Sequence, residues 1–217
     1  MAPSYSQDMG LWTEHVVPRL TDLSLSSDQV SRFRILVCAG LRGRVLEIGF
    51  GSGLNLPHLP REVTAVDAVE PNEVAWGRSA ARRRAAAVPV RRVGLDGQGL
   101  EAADASYDSA VITLSLCTIP DAAAALAEVR RVLRPGGALH FFEHGLAPDP
   151  GVVRWQERLD PLQQRLFGGC HLTRDVPALV GGAGLEITEL RREYLPGPRA
   201  AHPWTYGYLG RAVRPPA

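Results

Sequence analysis

Residues 44–48, 63–69, 88–93, 107–114 and 138–142 are short apolar-rich runs, and the segments between them carry apolar residues at helical spacing. The runs predict strands, and 107–114 is apolar enough to be buried on both faces of a sheet. Pro71 suits the first position of a helix reaching about residue 86. Asp121 is placed to cap a helix carrying Leu126, Val129 and Leu133, which Arg134-Pro135-Gly136-Gly137 stops. Residues 152–166 predict another helix. Thr173 is positioned to cap the next, with Pro177 in its first turn and Gly181, Gly182 and Gly184 at its end. Residues 185–190 and about 206–212 read as the last strands. Ahead of all these, residues 1–41 read as helical, from Leu11, Trp12, Val16, Leu20, Phe33, Leu36 and Val37, and close at Gly40 and Gly43.

Strand–helix alternation predicts an open α/β sheet with its ligand at the carboxyl ends of the strands. Without an internal repeat or long linker, the 217 residues read as one domain. Residues 1–41 form a helical cap, 42–145 a ligand-binding core, and 146–217 the remaining helices and last strands. The net charge of +1 gives no field of one sign, so neither nucleic acid nor an anionic membrane is an expected partner. The three cysteines, Cys38, Cys117 and Cys170, form no C-x-x-C pair, which argues against a disulfide framework and suits a reducing, cytoplasmic setting. No signal peptide or membrane helix is expected.

The sharpest chemical signal is Glu47-Ile48-Gly49-Phe50-Gly51-Ser52-Gly53, directly after the first predicted strand. Glycines let a backbone turn tightly and approach a ligand closely. The dinucleotide fingerprint G-x-G-x-x-G requires glycine at position 54, where this chain has Leu54, and no P-loop lysine follows. A nucleoside with a cationic amino-acid tail fits better than a dinucleotide. Glu70, at the end of the second predicted strand and before Pro71, is placed to accept from both ribose hydroxyls, with Asp67 the competitor. Asp96 is placed to accept from an adenine amine, with Gly97 allowing close approach; an ordinary Asp-Gly turn is the plainer reading.

VLEIGFGSG, AVEPN, LDGQ, SYDSAVITLSLCTIPD and VRRVLRPGG together resemble the class I S-adenosylmethionine-dependent methyltransferases. The resemblance implies a Rossmann-like seven-stranded, mostly parallel sheet with helices on both faces and its last strand antiparallel. It implies S-adenosylmethionine as cofactor, with S-adenosylhomocysteine as product. It assigns Gly49, Gly51, Gly53 and Asn55 to the methionine end, Glu70 to the ribose, Asp96 and Gly97 to the adenine, and Leu114 and Ser115 to the pocket wall, and counts Glu47 and Pro71 among the cofactor-binding residues. FEH at 142–144, WQ at 155–156, LDP at 159–161, FGGCHLTR at 167–174 and HP…YGY near the end are similar to the methyltransferase-like thiol S-methyltransferases. A small thiol is then the expected acceptor, with methylation of oxygen, nitrogen or carbon on a small metabolite or lipid head group as the alternative. The membrane anchor that opens animal members is not expected here.

On the acceptor side, His144 ends the fifth predicted strand, where it is placed to deprotonate or orient the acceptor. Glu143 beside it is a candidate orienting carboxylate, and Cys170 and His171 are candidates to line the acceptor pocket. Adjacent Cys170 and His171 are poorly placed to face each other as a dyad. His144, Cys170 and His171 lack zinc-finger spacing, and no metal is expected. Arg174 and Asp160 are expected to pair, Cys38 and Cys117 to be small buried apolar residues, and Trp12, Trp155 and Trp204 to wall the pocket or fill core. An NAD-dependent oxidoreductase is opposed by Leu54, and a non-catalytic nucleoside-binding module by the intact loop with Glu70 and Asp96.

Overall fold

The computed structural model describes Gly10 and residues 12–216. Leu11 and the side chain of Leu20, two apolar positions of the expected cap, lie outside that description. The cap holds a π-turn at Trp12–Val16 and helices α1 (Val17–Leu25) and α2 (Asp28–Cys38). Strands β1 (Gly43–Ile48) and β2 (Val63–Val69) follow, then helices α3 (Glu73–Arg78) and α4 (Ala80–Ala85). Next come β3 (Val90–Gly94), β4 (Tyr107–Thr113), α5 (Ala122–Val132) and β5 (Leu133–His144). The chain ends with α6 (Pro150–Leu166), α7 (Val176–Gly182), β6 (Glu186–Tyr194), α8 (His202–Thr205) and β7 (Tyr206–Val213). The seven strands form one sheet in the order β3-β2-β1-β4-β5-β7-β6, parallel except where β7 runs antiparallel between β5 and β6. This is the expected Rossmann-like sheet.

Alternation of side chains along the central strands splits the core into two layers. Leu46, Ile48, Ala110, Ile112 and Phe141 join one buried cluster with Leu126 and Val129 of α5 and Val176 and Val180 of α7. Val45, Val111 and Phe142 join the other with Val37 and Cys38 of α2. A strand buried on both faces must be apolar throughout, which is why β1, β4 and β5 were legible as continuous runs. Phe33 of α2 stacks on Phe142 with ring centroids 4.7 Å apart, fixing the cap against the sheet.

Several boundaries differ from the sequence expectation for identifiable reasons. The helix expected from Pro71 begins after Asn72, whose side chain accepts the Ala75 N–H at 2.8 Å. It also breaks at Ser79, whose hydroxyl donates back to the Trp76 carbonyl at 2.6 Å and competes with the helical ladder. Helix α7 is capped by Asp175, which accepts from the Ala178 N–H at 3.1 Å, and not by Thr173. A cap at Thr173 would place Pro177 where an N–H must close the first helical bond. Leu133, expected in the helix, pairs instead with Tyr107, and the register jumps from there to Ser109 opposite Ala138, looping out Arg134-Pro135-Gly136-Gly137.

His140 of β5 is buried, with its imidazole beside the Val37 backbone at the end of α2. Its Nε2 is buried without a partner, and Gly40 leaves the space its ring fills. Burial first, and then the nearby Arg211, lowers its pKa from 6.5 to about 4. A proton is therefore taken up on unfolding between those values, so this contribution is fully present above pH 6.5 and lost as pH falls towards 4. Relative to His140→Gln, the wild type is expected to lose about 3 kcal/mol of unfolding free energy from pH 7 to pH 4. Denaturant melts of both proteins across that range check this; parallel stability curves would refute it.

Candidate active site

The glycine loop follows β1 and turns back on β2: the N–H groups of Gly49 and Phe50 both donate to the Val69 carbonyl, at 3.0 and 3.2 Å. Gly49 adopts φ +70°, and a Cβ there would lie 2.1 Å from Ser115 Oγ. Ser115 lies just beyond β4, and its hydroxyl reaches the Gly49 and Thr113 carbonyls. Leu114 also holds a positive φ, +51°, an uncommon conformation for a leucine, at the end of β4. The loop and the Leu114–Ser115 turn form facing walls of a crevice of about 240 Å³ at the carboxyl ends of the strands.

Of the expected cofactor residues, Gly49, Gly51, Glu70, Pro71, Asp96, Gly97, Leu114 and Ser115 line this crevice. Glu47, Gly53 and Asn55 are not among the residues that line it. Asn55 is fully buried and donates to Glu47 Oε1 at 2.9 Å and to Thr113 Oγ1 at 3.0 Å. Glu70 accepts from the Gly51 N–H at 2.6 Å and the Asn72 N–H at 2.8 Å, which ties the crevice carboxylate to the loop. Burial raises its pKa against those two bonds. Asp67 is engaged elsewhere: it accepts from Arg44 Nε at 2.7 Å and from the Tyr107 hydroxyl at 3.0 Å. Asp96 turns its carboxylate to the Gln98 N–H at 2.9 Å, the plain Asp-turn geometry, at the crevice edge.

The cap contributes more than the pattern of apolar positions indicated. Val17, Pro18, Asp22 and Leu25 cover the crevice, and Asp22 accepts hydrogen bonds from Ser52 of the loop and Arg78 of α3. Arg34 of α2, missed in the sequence, enters from the same side. It is buried, lines the crevice, and donates from Nη1 to Asn55 Oδ1 at 2.8 Å and Thr113 Oγ1 at 3.1 Å. Its Nε is buried with no partner. The one available signal was a charge next to Phe33 and one turn before Cys38, on the face that packs. Burial pushes Glu47 up to about 8, against the pull of Asn55 and Arg34.

The expected acceptor-side residues do come together, in pairs the sequence did not suggest. Cys170 meets His144 and not His171: its Sγ lies 3.2 Å from His144 Nε2 and 3.5 Å from the Sγ of Cys117. Cys117, expected to be a small buried apolar residue, is buried and also belongs to this cluster. Its thiol and His144 hold Cys170 well below the usual thiol range, while the same Cys170 contact and burial push Cys117 up. Burial alone would lower His144, and its bond with Cys170 raises it instead. Glu143 accepts the N–H groups of Ser115 and Leu116 at 2.9 and 3.0 Å, and so props up the crevice wall; burial raises it to about 7. His171 lies 3.3 Å from Asp160, which also accepts the Leu172 N–H at 2.5 Å. The expected Arg174–Asp160 pair does not form, because Arg174 caps the carbonyls of Leu116 and Ile119 at 2.7 and 2.6 Å.

Trp12, Trp155 and Trp204 are 48%, 55% and 42% exposed and line neither the crevice nor the core; Trp12 and Trp204 instead donate to Leu166 and Gln163 of α6. Cys38 is buried and pushed up to about 12, as expected of an apolar thiol. Among the described residues no helix is long and apolar enough to cross a membrane.

Residues 46–141 match the model of a methyltransferase domain. The chain is 35% identical over 179 residues to the thiol S-methyltransferase TMT1A of Homo sapiens, spanning 78% of this chain and 72% of the human protein. It is 34% identical over 173 residues to the thiol S-methyltransferase TMT1B of Rattus norvegicus, spanning 78% and 70%. Its fold is similar to that of a SAM-dependent methyltransferase from Methanosarcina mazei, with TM-score 0.63 at 22% identity, over 80% of this chain and 93% of that one.

Proposed function

Because the chain belongs to the class I methyltransferases, in the family of the thiol S-methyltransferases, we propose that it methylates the sulfur of a small thiol. It is an S-adenosylmethionine-dependent methyltransferase. The observation that carries the thiol reading is the reach of the similarity. The methyltransferase-domain match ends at residue 141, whereas the alignments to the thiol enzymes run over 173 and 179 residues. The likeness therefore extends beyond the cofactor core into elements that form the acceptor side.

The crevice suits the cofactor. Its loop offers bare backbone at Gly49 and Gly51, Glu70 offers lone pairs beyond those its two N–H partners occupy, and Arg34 presents a buried guanidinium with an unpartnered Nε. In this reading Glu70, next to Pro71, holds the ribose, Asp96 and Gly97 the adenine, Leu114 and Ser115 the pocket wall, and Arg34 the methionine carboxylate. When bound, S-adenosylmethionine supplies an electrophilic methyl on a sulfonium. The protein's part is to hold acceptor and methyl in near-attack geometry and to exclude water. A thiol with a pKa of about 8.5 is already a few per cent ionised near pH 7, so a strong base is not required. His144 and Cys170 act on the acceptor side, with Glu143 and His171 holding the surrounding loops. The three free cysteines suit a reducing compartment such as the cytosol.

Two measurements test this. With labelled cofactor and a panel of small thiols, phenols and amines, turnover is expected on thiols; turnover confined to amines or phenols would remove the sulfur assignment. For His144→Ala, kcat is expected to fall about a hundredfold, with cofactor Kd changed by less than about threefold. Equal losses in both would move His144 off the acceptor side.

A further inference from the structure

Cys117 follows β4, His144 ends β5, and Cys170 lies in the loop between α6 and α7. Their ligand atoms, two Sγ and a ring nitrogen of His144, all lie within 4.8 Å of one another. Two edges of that triangle are 3.2 and 3.5 Å. Zinc bonds of about 2.3 Å to sulfur and 2.0–2.1 Å to nitrogen, at tetrahedral angles, separate sulfur from nitrogen by about 3.5 Å and sulfur from sulfur by about 3.8 Å. Those two edges are thus within a few tenths of an ångström of the spacings in a zinc tetrahedron, and the third is no longer than 4.8 Å.

We propose that Cys117, Cys170 and His144 bind one zinc ion, and that its fourth position takes the sulfur of the acceptor. The donor set is selective: two thiolates and an imidazole suit zinc and do not suit magnesium, calcium or manganese. Before the acceptor binds the complex is neutral, because two thiolates balance the ion's charge, so the buried cysteines do not hold an uncompensated charge. The surroundings hold the ligands in place. The Cys117 carbonyl accepts the His171 N–H at 2.9 Å, and Gln163 Nε2 lies 3.6 Å from Cys170 Sγ.

Among the described residues the cluster offers three ligands. Structural zinc sites use four protein ligands, and catalytic ones use three with an open position. Cys117 lies between Ser115 and Thr118, which both line the cofactor crevice, so the cluster sits behind that wall, with the open position assigned to its crevice side. On coordination the acceptor R–S–H releases its proton to solvent. Its sulfur lone pair then forms the new carbon–sulfur bond to the methyl. The methyl–sulfonium bond breaks with its electron pair left on the donor sulfur, giving the thioether and S-adenosylhomocysteine, and the ion keeps its oxidation state throughout.

The identity of the fourth ligand rests on the thiol reading; the three-ligand site does not. Reduced protein stripped by a chelator is titrated with cobalt(II) under anaerobic conditions. One equivalent is expected to bind, with thiolate-to-cobalt charge-transfer absorption and tetrahedral d–d bands, and to be displaced by one equivalent of zinc. Cys117→Ser and Cys170→Ser should each weaken cobalt binding by more than about a hundredfold, beyond the 10–100-fold typical of losing a supporting partner. Absence of thiolate–cobalt bands in the wild type, or unchanged binding in both variants, would overturn the site. With cobalt bound, a small thiol should shift the d–d bands and a phenol should not; bands indifferent to thiol would overturn the open-position assignment. Intact cobalt binding together with methylation of amines alone would instead refute the thiol reading and leave the three-ligand site standing. Full thiol turnover by chelator-stripped enzyme would refute the ion's part in the reaction.

Discussion

Gly49→Ala is expected to weaken S-adenosylmethionine binding by more than about a thousandfold, and Ser115→Gly in the same chain is expected to restore much of the loss. The residue sits at φ +70°, a conformation that costs an L-residue about 1–2 kcal/mol. That accounts for tenfold or slightly more. The larger part is steric. A Cβ at Gly49 would lie 2.1 Å from Ser115 Oγ and 2.3 Å from Ser115 Cβ, but 3.8 Å from its Cα. The wall cannot simply give, because the Ser115 N–H is held by Glu143 and its hydroxyl reaches the carbonyls of Gly49 and Thr113. The loop must therefore move into the crevice or away from it, and either spoils the cofactor surface. Removing the serine side chain leaves ordinary van der Waals distances, so the double variant should retain only the backbone cost. Calorimetric titration of both variants checks this. A double variant no better than Gly49→Ala would show that the loop does not fail by this collision.

Arg34→Met should cost about 3 kcal/mol of stability, from lost charge-assisted hydrogen bonds and a buried Asn55 Oδ1 left without its donor. For a chain of this length that is a fall in Tm of roughly 10 °C. Glu47, already raised to about 8, would hold its proton more tightly once the cation is gone. Glu47→Gln, by contrast, is expected to stay within about 1 kcal/mol of wild type near neutral pH, because the carboxyl is already mostly protonated there. The two substitutions separate a charge that the fold needs from one it largely suppresses. Arg34→Met should also weaken S-adenosylmethionine by tenfold or more, while 5′-methylthioadenosine, which lacks the amino-acid carboxylate, should bind both proteins alike. Equal loss for both ligands would remove Arg34 from the methionine end and leave it a purely structural residue.

The sequence by itself determined the succession of strands and helices and the turn at Gly49 to Gly53. Each is a local property: side-chain period follows from backbone geometry, and a bare turn after a strand needs glycine wherever it occurs. Helix starts were less legible at Asn72 and Asp175, because neighbouring side chains compete for the same free N–H groups and only the folded backbone selects one. That Glu70 lines the crevice while Asp67 is engaged elsewhere also waited on the fold, since Arg44 and Tyr107 reach Asp67 only once β2, β1 and β4 lie side by side. The same holds for Arg34 beneath the crevice and for Cys117 beside His144 and Cys170. Those residues are brought together by crossover connections and by strand order, and no periodicity along the chain encodes a distance between positions separated by a whole helix and strand.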